Sequence, residues 1–322
     1  MSTADVKTGT TTEAPYPWQH SQWAQLMDAW QAGRLPHAVL LLGPAGLGKE
    51  LLARRLIDLV LGGKGNSQRF AGAHPDFLPV VPAEGKTAIA VEQIRELGEH
   101  FSLKSHQGGF KCALISPAHR MTTNAANSLL KTLEEPAGST LLVLTSPSGS
   151  ALPATVVSRC LRTRFSTPSR ETGLDWLRSV ESRDDWEPLL EFASGAPLRA
   201  CELAQEDFTD LEKGITRDLL TIIGQSGEPA QVAARWSRAA APQLYVGWLR
   251  SLTCGLIRSK SSSMPLGQPF EIEKIIKNID IRSLYKYLDE VYLVTAGMDT
   301  SMNTQLAFES LLIPWSHGLE NS

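Results

Sequence analysis

The sequence predicts an α/β domain built on a parallel sheet, followed by an all-α region. Three observations predict it. Short apolar runs alternate with stretches of helical period over roughly the first 150 residues, the pattern of strands joined by crossover helices. One such run, Ala38–Leu42, passes through a glycine-rich turn directly into a helical pattern. Beyond Phe165 the apolar residues recur only at helical spacing.

The elements follow in order. Trp23, Leu26, Met27 and Trp30 stand at i, i+3, i+4 and i+7, one stripe of a helix within 18–31. Ala38–Leu42 is continuously apolar between Pro36 and Gly43, as suits a strand buried on both faces. Residues 43–48 turn the chain, and 49–61 form a helix with Leu52, Leu56 and Leu59 inward. A strand is predicted at 77–81, a helix carrying Val91, Ile94, Leu97 and Phe101, and a strand at 113–115. Thr123 is expected to cap a helix with Ala126, Leu129, Leu130 and Leu133 on one face, stopped by Pro136. The last strand is expected at 140–145. Helices then follow at 174–180, 187–193, 198–205, 211–223, 231–240 and 243–258. A Ser/Pro/Gly-rich loop spans 259–269. Two more helices carry Ile281, Leu284, Leu288 and Val291, and Leu306 with Leu311–Ile313.

Composition excludes several classes. The chain has 322 residues, 42% hydrophobic and 20% charged, enough apolar material for a folded core. Lys and Arg total 31 against 34 Asp and Glu, a net charge of −3, which argues against a protein coated in basic charge for nucleic acid. No apolar run approaches the ~18 residues of a membrane span. Cys112, Cys160, Cys201 and Cys254 lie too far apart for zinc-ligand spacing, and a chain this long does not need a disulfide framework. The Thr-rich start lacks an apolar signal segment and reads as a disordered tail over 1–15. The expectation is a reduced, cytoplasmic protein.

Gly43-Pro44-Ala45-Gly46-Leu47-Gly48-Lys49 matches the Gly-x-x-x-x-Gly-Lys part of a phosphate-binding loop, in the strand-to-helix setting that loop requires. Gly43, Gly46 and Gly48 let the backbone wrap with its N–H groups inward, and Lys49 supplies charge for the β- and γ-phosphates. The next residue should be a Ser or Thr that ligates Mg²⁺; here it is Glu50. The strand at 113–115 should be followed by an acid, and Ser116-Pro117 stands there instead. Phosphoryl transfer relies on metal and a residue that orients the nucleophile, so hydrolysis by this chain is not expected. ATP binding stays open because Gly48 and Lys49 are present. No cofactor is required, and no metal site is assigned.

Three further motifs carry a resemblance: His74-Pro-Asp76, Asn127-Ser-Leu-Leu-Lys-Thr-Leu-Glu-Glu-Pro136 and Ser158-Arg159-Cys160. In this order and spacing they resemble bacterial clamp-loader subunits of the AAA+ family, the delta-prime type of DNA polymerase III, over nearly all of 18–315. The resemblance implies a P-loop NTPase-like AAA+ domain over 16–166, a small helical lid over 167–207 and a helical oligomerisation collar over 208–322. It implies a partner set: a delta subunit, gamma/tau-type motor subunits, the sliding clamp indirectly, and primed DNA through the assembled complex. It also implies membership of a polymerase holoenzyme for a chain that itself has neither polymerase nor ATPase activity, a stator. The alternative is an active AAA+ motor or another P-loop enzyme.

Carried over by position, Arg159 matches an arginine finger reaching a neighbouring subunit's nucleotide site; the competing reading is an arginine that caps a strand end. A guanidinium is always charged and forked, which suits a transferring phosphoryl group. Ser146 lies near the family's sensor position, and Arg199 near a lid arginine, at a spacing that fits poorly. Members often carry a four-cysteine zinc module, but 61–73 holds no cysteine, so no zinc is expected and the segment reads as a short loop. Glu134 and Glu135 are expected to end their helix and face neighbouring subunits, and Asn127 with Lys131 to line a subunit- or DNA-facing surface. Trp18, Trp23 and Trp30 read as packing residues, and Asn303, Leu306, Leu311, Leu312 and Trp315 as collar packing. Lys104, Lys111 and Arg120 are candidate phosphate contacts in a chain whose own DNA binding is expected to be modest.

Overall fold

The computed structural model describes residues 14–63, 74–106, 109–205, 208–262, 279–298 and 302–319. The tail and zinc-module readings therefore fall largely outside the described residues. The chain divides into two compact units, one of 1–186 with 195–201 and one of 187–194 with 202–322. The stretch 167–207 read as a lid is shared between them.

The first unit is a five-stranded parallel sheet in the order β2-β3-β4-β1-β5. Its strands are β1 (Ala38–Leu42), β2 (Phe77–Val80), β3 (Lys111–Ile115), β4 (Thr140–Ser146) and β5 (Leu161–Arg164). Among them run α1 (His20–Gln31), α2 (Lys49–Val60), α3 (Val91–Ser102), α4 (Thr123–Glu134), the single turn α5 (Ala154–Val157) and α6 (Arg170–Val180). Every residue of β1 is buried, because both sheet faces are covered. Ala38, Leu40 and Leu42 face one core with Ile94, Leu97, Leu129 and Leu133 of α3 and α4. Val39 and Leu41 face the opposite core with Leu26 of α1 and Leu52 and Leu56 of α2. Trp18, Trp23 and Trp30 pack half-buried against this second core. Full burial of each large side chain contributes roughly 1.5–3 kcal/mol, and β3 and β4 are buried at every position as β1 is.

Several boundaries differ from expectation, the start of α4 and the end of a later helix among them. The cap of α4 is Thr122, whose hydroxyl accepts the Ala125 N–H, not Thr123, which begins the helix. The helix expected to stop at 258 continues to Ser262 as α11 (Pro242–Ser262).

The sequence reading lacks β5 altogether. It pairs in parallel with β1 through Val39↔Leu161 to Leu42↔Arg164, and only Thr163 is buried. Charged residues on an edge strand discourage pairing with another chain but also erase the apolar signature of a strand.

The second unit is helical: α7 (Trp186–Phe192) and α8 (Pro197–Gln205) enter it in part, followed by α9 (Phe208–Ile223), α10 (Pro229–Ser237), α11, α12 (Ile281–Gly297) and α13 (Thr304–Ser316). Trp236, Trp248, Trp315, Tyr287 and Phe308 are fully buried in it. Two of them bond their polar atoms: Trp236 Nε1 donates to Asp218 at 2.8 Å and the Tyr287 hydroxyl to the Leu311 carbonyl at 3.0 Å. Asn303 caps α13 by accepting from the Gln305 and Leu306 N–H groups. Leu311, Leu312 and Trp315 are core residues, whereas Leu306 is 60% exposed.

Candidate functional site: a closed phosphate loop and a presented arginine

The loop from β1 to α2 has the backbone of a phosphate loop. Gly43, Gly46 and Gly48 all take positive φ, at 150°, 74° and 77°. What distinguishes it is how closely the chain covers it. A Cβ on Gly46 would lie 2.6 Å from Arg199 Cβ, and one on Gly48 would lie 2.7 Å from the Tyr16 ring. The Leu47 carbonyl accepts the Trp18 indole N–H at 3.1 Å and the Gln19 amide at 2.7 Å. The Gly46 carbonyl accepts the Leu198 N–H at 3.1 Å. Tyr16 stacks on Trp18, and Trp176 of α6 meets both rings edge-on.

Lys49, the residue that should meet phosphate, donates to the Pro44 carbonyl within its own loop at 2.6 Å. Burial strips water from its ammonium and pushes the pKa down to about 8.

The side where metal should sit is built from four side chains. Glu50 accepts from Arg54 Nε at 3.1 Å and Nη2 at 2.8 Å, a pair made natural by their i,i+4 spacing on α2. Its other oxygen accepts the Ser116 hydroxyl at 3.0 Å. Ser116, at the end of β3, is 2.8 Å from Thr145 near the end of β4. With the Ser116 proton directed at Glu50, Thr145 donates to Ser116, and the run of hydrogen bonds ends on a carboxylate held by arginine. Both carboxylate oxygens are engaged, and the hydroxyls point along this chain of bonds. These residues do not fit a Mg²⁺–triphosphate: the small neutral ligand is replaced by a charged one already paired, and no acid stands at Ser116. Arg54, Thr145, Tyr16 and Gln19 were absent from the sequence-based site, and only the Glu50/Arg54 spacing could have suggested any of them.

Ser146, the expected sensor, turns its hydroxyl to the Ser148 carbonyl at 2.8 Å; its neighbour Thr145 makes the contact to the site. Arg199 does lie against the loop at Gly46. A cleft of about 380 Å³ lined by Leu42, Gly43, Ser148, Ser150, Arg162 and Arg164 opens beside the loop, with neither Lys49 nor Glu50 in its wall.

Arg159 occupies a separate place, after α5 and before β5. Its Nη1 donates to the Thr155 carbonyl at 3.0 Å, and its Nη2 lies 2.6 Å from Glu134 Oε1. Both side chains are substantially exposed, 37% for the arginine and 51% for the glutamate. Thus Glu134, the last residue of α4, is paired to Arg159. Asn127 and Lys131 are exposed on the same helix.

Lys111 needs correction as a surface phosphate contact. It is 3% exposed and lies 3.5 Å from Asp76, itself fully buried. Asp76 also accepts from the Ser105 hydroxyl and the His106 N–H, so the His-Pro-Asp motif anchors the start of β2 to β3 and the turn after α3. Lys104 is exposed and Arg120 half-buried. No described helix is long and apolar enough to cross a membrane.

Residues 18–169 match the family model described as DNA polymerase III, delta subunit. A relative in Pseudomonas aeruginosa, DNA polymerase III subunit delta', is 30% identical over 330 residues, covering 94% of this chain and 97% of the relative. The Escherichia coli protein of the same name is 28% identical over 323 residues, covering 95% and 96%. A solved gamma subunit-related protein of Thermotoga maritima superposes at a TM-score of 0.49 with 18% identity, covering 92% of this chain and all of that one.

Proposed function

Since the chain belongs to the DNA polymerase III subunit delta' family, we propose that it serves in a clamp loader as a subunit that does not hydrolyse ATP. In this reading it assembles with delta and gamma/tau-type motor subunits and helps place the sliding clamp on primed DNA. It lends Arg159 to the nucleotide site of the motor subunit beside it. The single observation that carries the non-hydrolysing part is the bonded run Thr145–Ser116–Glu50–Arg54, which fills the metal side of the loop from within. Lys49 bonded to its own loop supports the same conclusion. Exposure of Arg159 on the opposite, N-terminal side of β5 supports its use in trans.

Two measurements test this. Titration of the purified chain with Mg²⁺ and ATP is expected to give no phosphate release; turnover at a motor-like rate would make the chain an active ATPase. In the reconstituted complex, Arg159→Ala is expected to abolish one phase of single-turnover ATP hydrolysis. Loss of a finger costs roughly 10³-fold or more at the site it serves. An unchanged time course removes the finger assignment.

A further inference from the structure

We infer that Glu134 is the positioning residue for Arg159, so that the Leu133-Glu134-Glu135-Pro136 and Ser158-Arg159-Cys160 runs form one device. The inference rests on the reading of Arg159 as a finger. A free arginine side chain has four rotatable bonds and gives up rotamer entropy when fixed. A finger that arrives disordered must lose that freedom while it meets the phosphate. One that is already aimed does not, and a misplacement of about 1 Å can cost 10²-fold in rate.

The geometry supplies the aim. Thr155 lies one turn before Arg159, and its carbonyl takes Nη1 at 3.0 Å. Glu134, 25 residues earlier in the chain, places Oε1 2.6 Å from Nη2 as an ion pair. Ser158 Oγ stands 3.5 Å from Nη1 and adds little. A guanidinium has five N–H donors. Among the described residues its hydrogen bonds come from Nη1 alone, Nη2 is ion-paired to Glu134, and the Nε hydrogen has no partner. Held at Nη1 and Nη2 and open at Nε, the group is oriented yet able to bind an anion.

Each anchor sits on firm structure. Glu134 ends α4, whose Leu129 and Leu133 are buried against β1 and β4. Arg159 is flanked by Val156 and Cys160, both buried in that same core, and Cys160 Sγ donates to the Val156 carbonyl. The core thus fixes both backbones, and the carboxylate links the two side chains at the surface. Glu135, the next residue, is equally acidic and exposed, and no ion pair to it is found among the described residues. It is the natural control.

The test is single-turnover ATP hydrolysis in the reconstituted complex, with assembly checked by gel filtration. Glu134→Ala is expected to slow the Arg159-dependent phase about ten-fold without changing half-saturating ATP, and Glu134→Asp to recover part of it. Glu135→Ala is expected to leave the phase unchanged. In an Arg159→Ala background, Glu134→Ala should have no further effect. If Arg159→Ala removes the phase but Glu134→Ala leaves it unchanged, or quickens it, the positioning role is wrong while the finger stands. If Arg159→Ala itself has no effect, the finger reading fails first. A weakened assembly, or an equal loss from Glu135→Ala, would make Glu134 an interface residue instead.

Discussion

The turn around Lys49 and the turn around Arg159 each present a cation at an end of the same sheet, and they use it in opposite ways. Lys49 donates inward to Pro44, and the loop around it is packed by Tyr16, Trp18, Gln19 and Arg199. Arg159 is held by two anchors and keeps a donor unused at the surface. The first turn has the backbone of a ligand site with the ligand's contacts replaced by protein. The second holds its guanidinium at the surface, half-exposed beside a half-exposed carboxylate. The difference teaches that a motif's backbone shape and its chemistry are separable: the glycines can persist as a packing device after the metal ligand is gone.

Substitutions can break or sharpen this contrast. The largest effect is expected from Gly46→Ala. The new Cβ would sit at φ 74° and 2.6 Å from Arg199 Cβ, combining backbone strain with a clash. A loss of about 2–4 kcal/mol is expected in denaturant unfolding. A neutral result would mean that the loop is open and not packed. Glu50→Ala comes next: it removes the acceptor shared by Arg54 and Ser116 and should cost about 1 kcal/mol, without conferring ATP turnover. Were this variant to hydrolyse ATP, Glu50 alone would have been the barrier.

The smallest effect, of opposite sign, is expected from Lys49→Met. Folding lowers this lysine's pKa to about 8 from an unfolded value near 10.4, so the unfolded chain holds more proton between those limits. The wild-type protein therefore gains stability from this group as pH rises from about 8 to 10.5 and lacks that gain below. Met removes the desolvated charge and should stabilise by no more than about 1 kcal/mol at pH 7, allowing for solvent screening of a half-buried ammonium. The advantage should vanish by pH 10.5, as thermal unfolding at several pH values would show. A destabilised variant at pH 7 would contradict the assignment.

Much of the first unit was legible because it obeys one-dimensional rules. An apolar run, three glycines and a helical stripe determine β1, the loop and α2, and the missing Mg²⁺ ligand is visible at Glu50 itself. The remainder depends on partners distant in the chain. Ser116 meets Glu50 from 66 positions away and Thr145 meets Ser116 from 29, a convergence that parallel strand order creates and no local spacing records. Lys111 reads as a solvated lysine until Asp76 is placed beside it, since a lysine is buried only with a counter-charge. The strand β5 is hidden because an edge needs only one buried residue, Thr163.

The aromatic cover on the loop has a mechanical consequence. In a nucleotide-driven subunit this turn is where chemical energy becomes movement, because ligand arrives and departs. Here the packed rings of Tyr16, Trp18 and Trp176, with the Trp18 indole bonded to the Leu47 carbonyl, tie the turn to the segment before α1 and to α6. On the reading proposed above, the sector of a ring that this chain fills keeps a constant posture, a fixed reference against which its neighbours' strokes are measured.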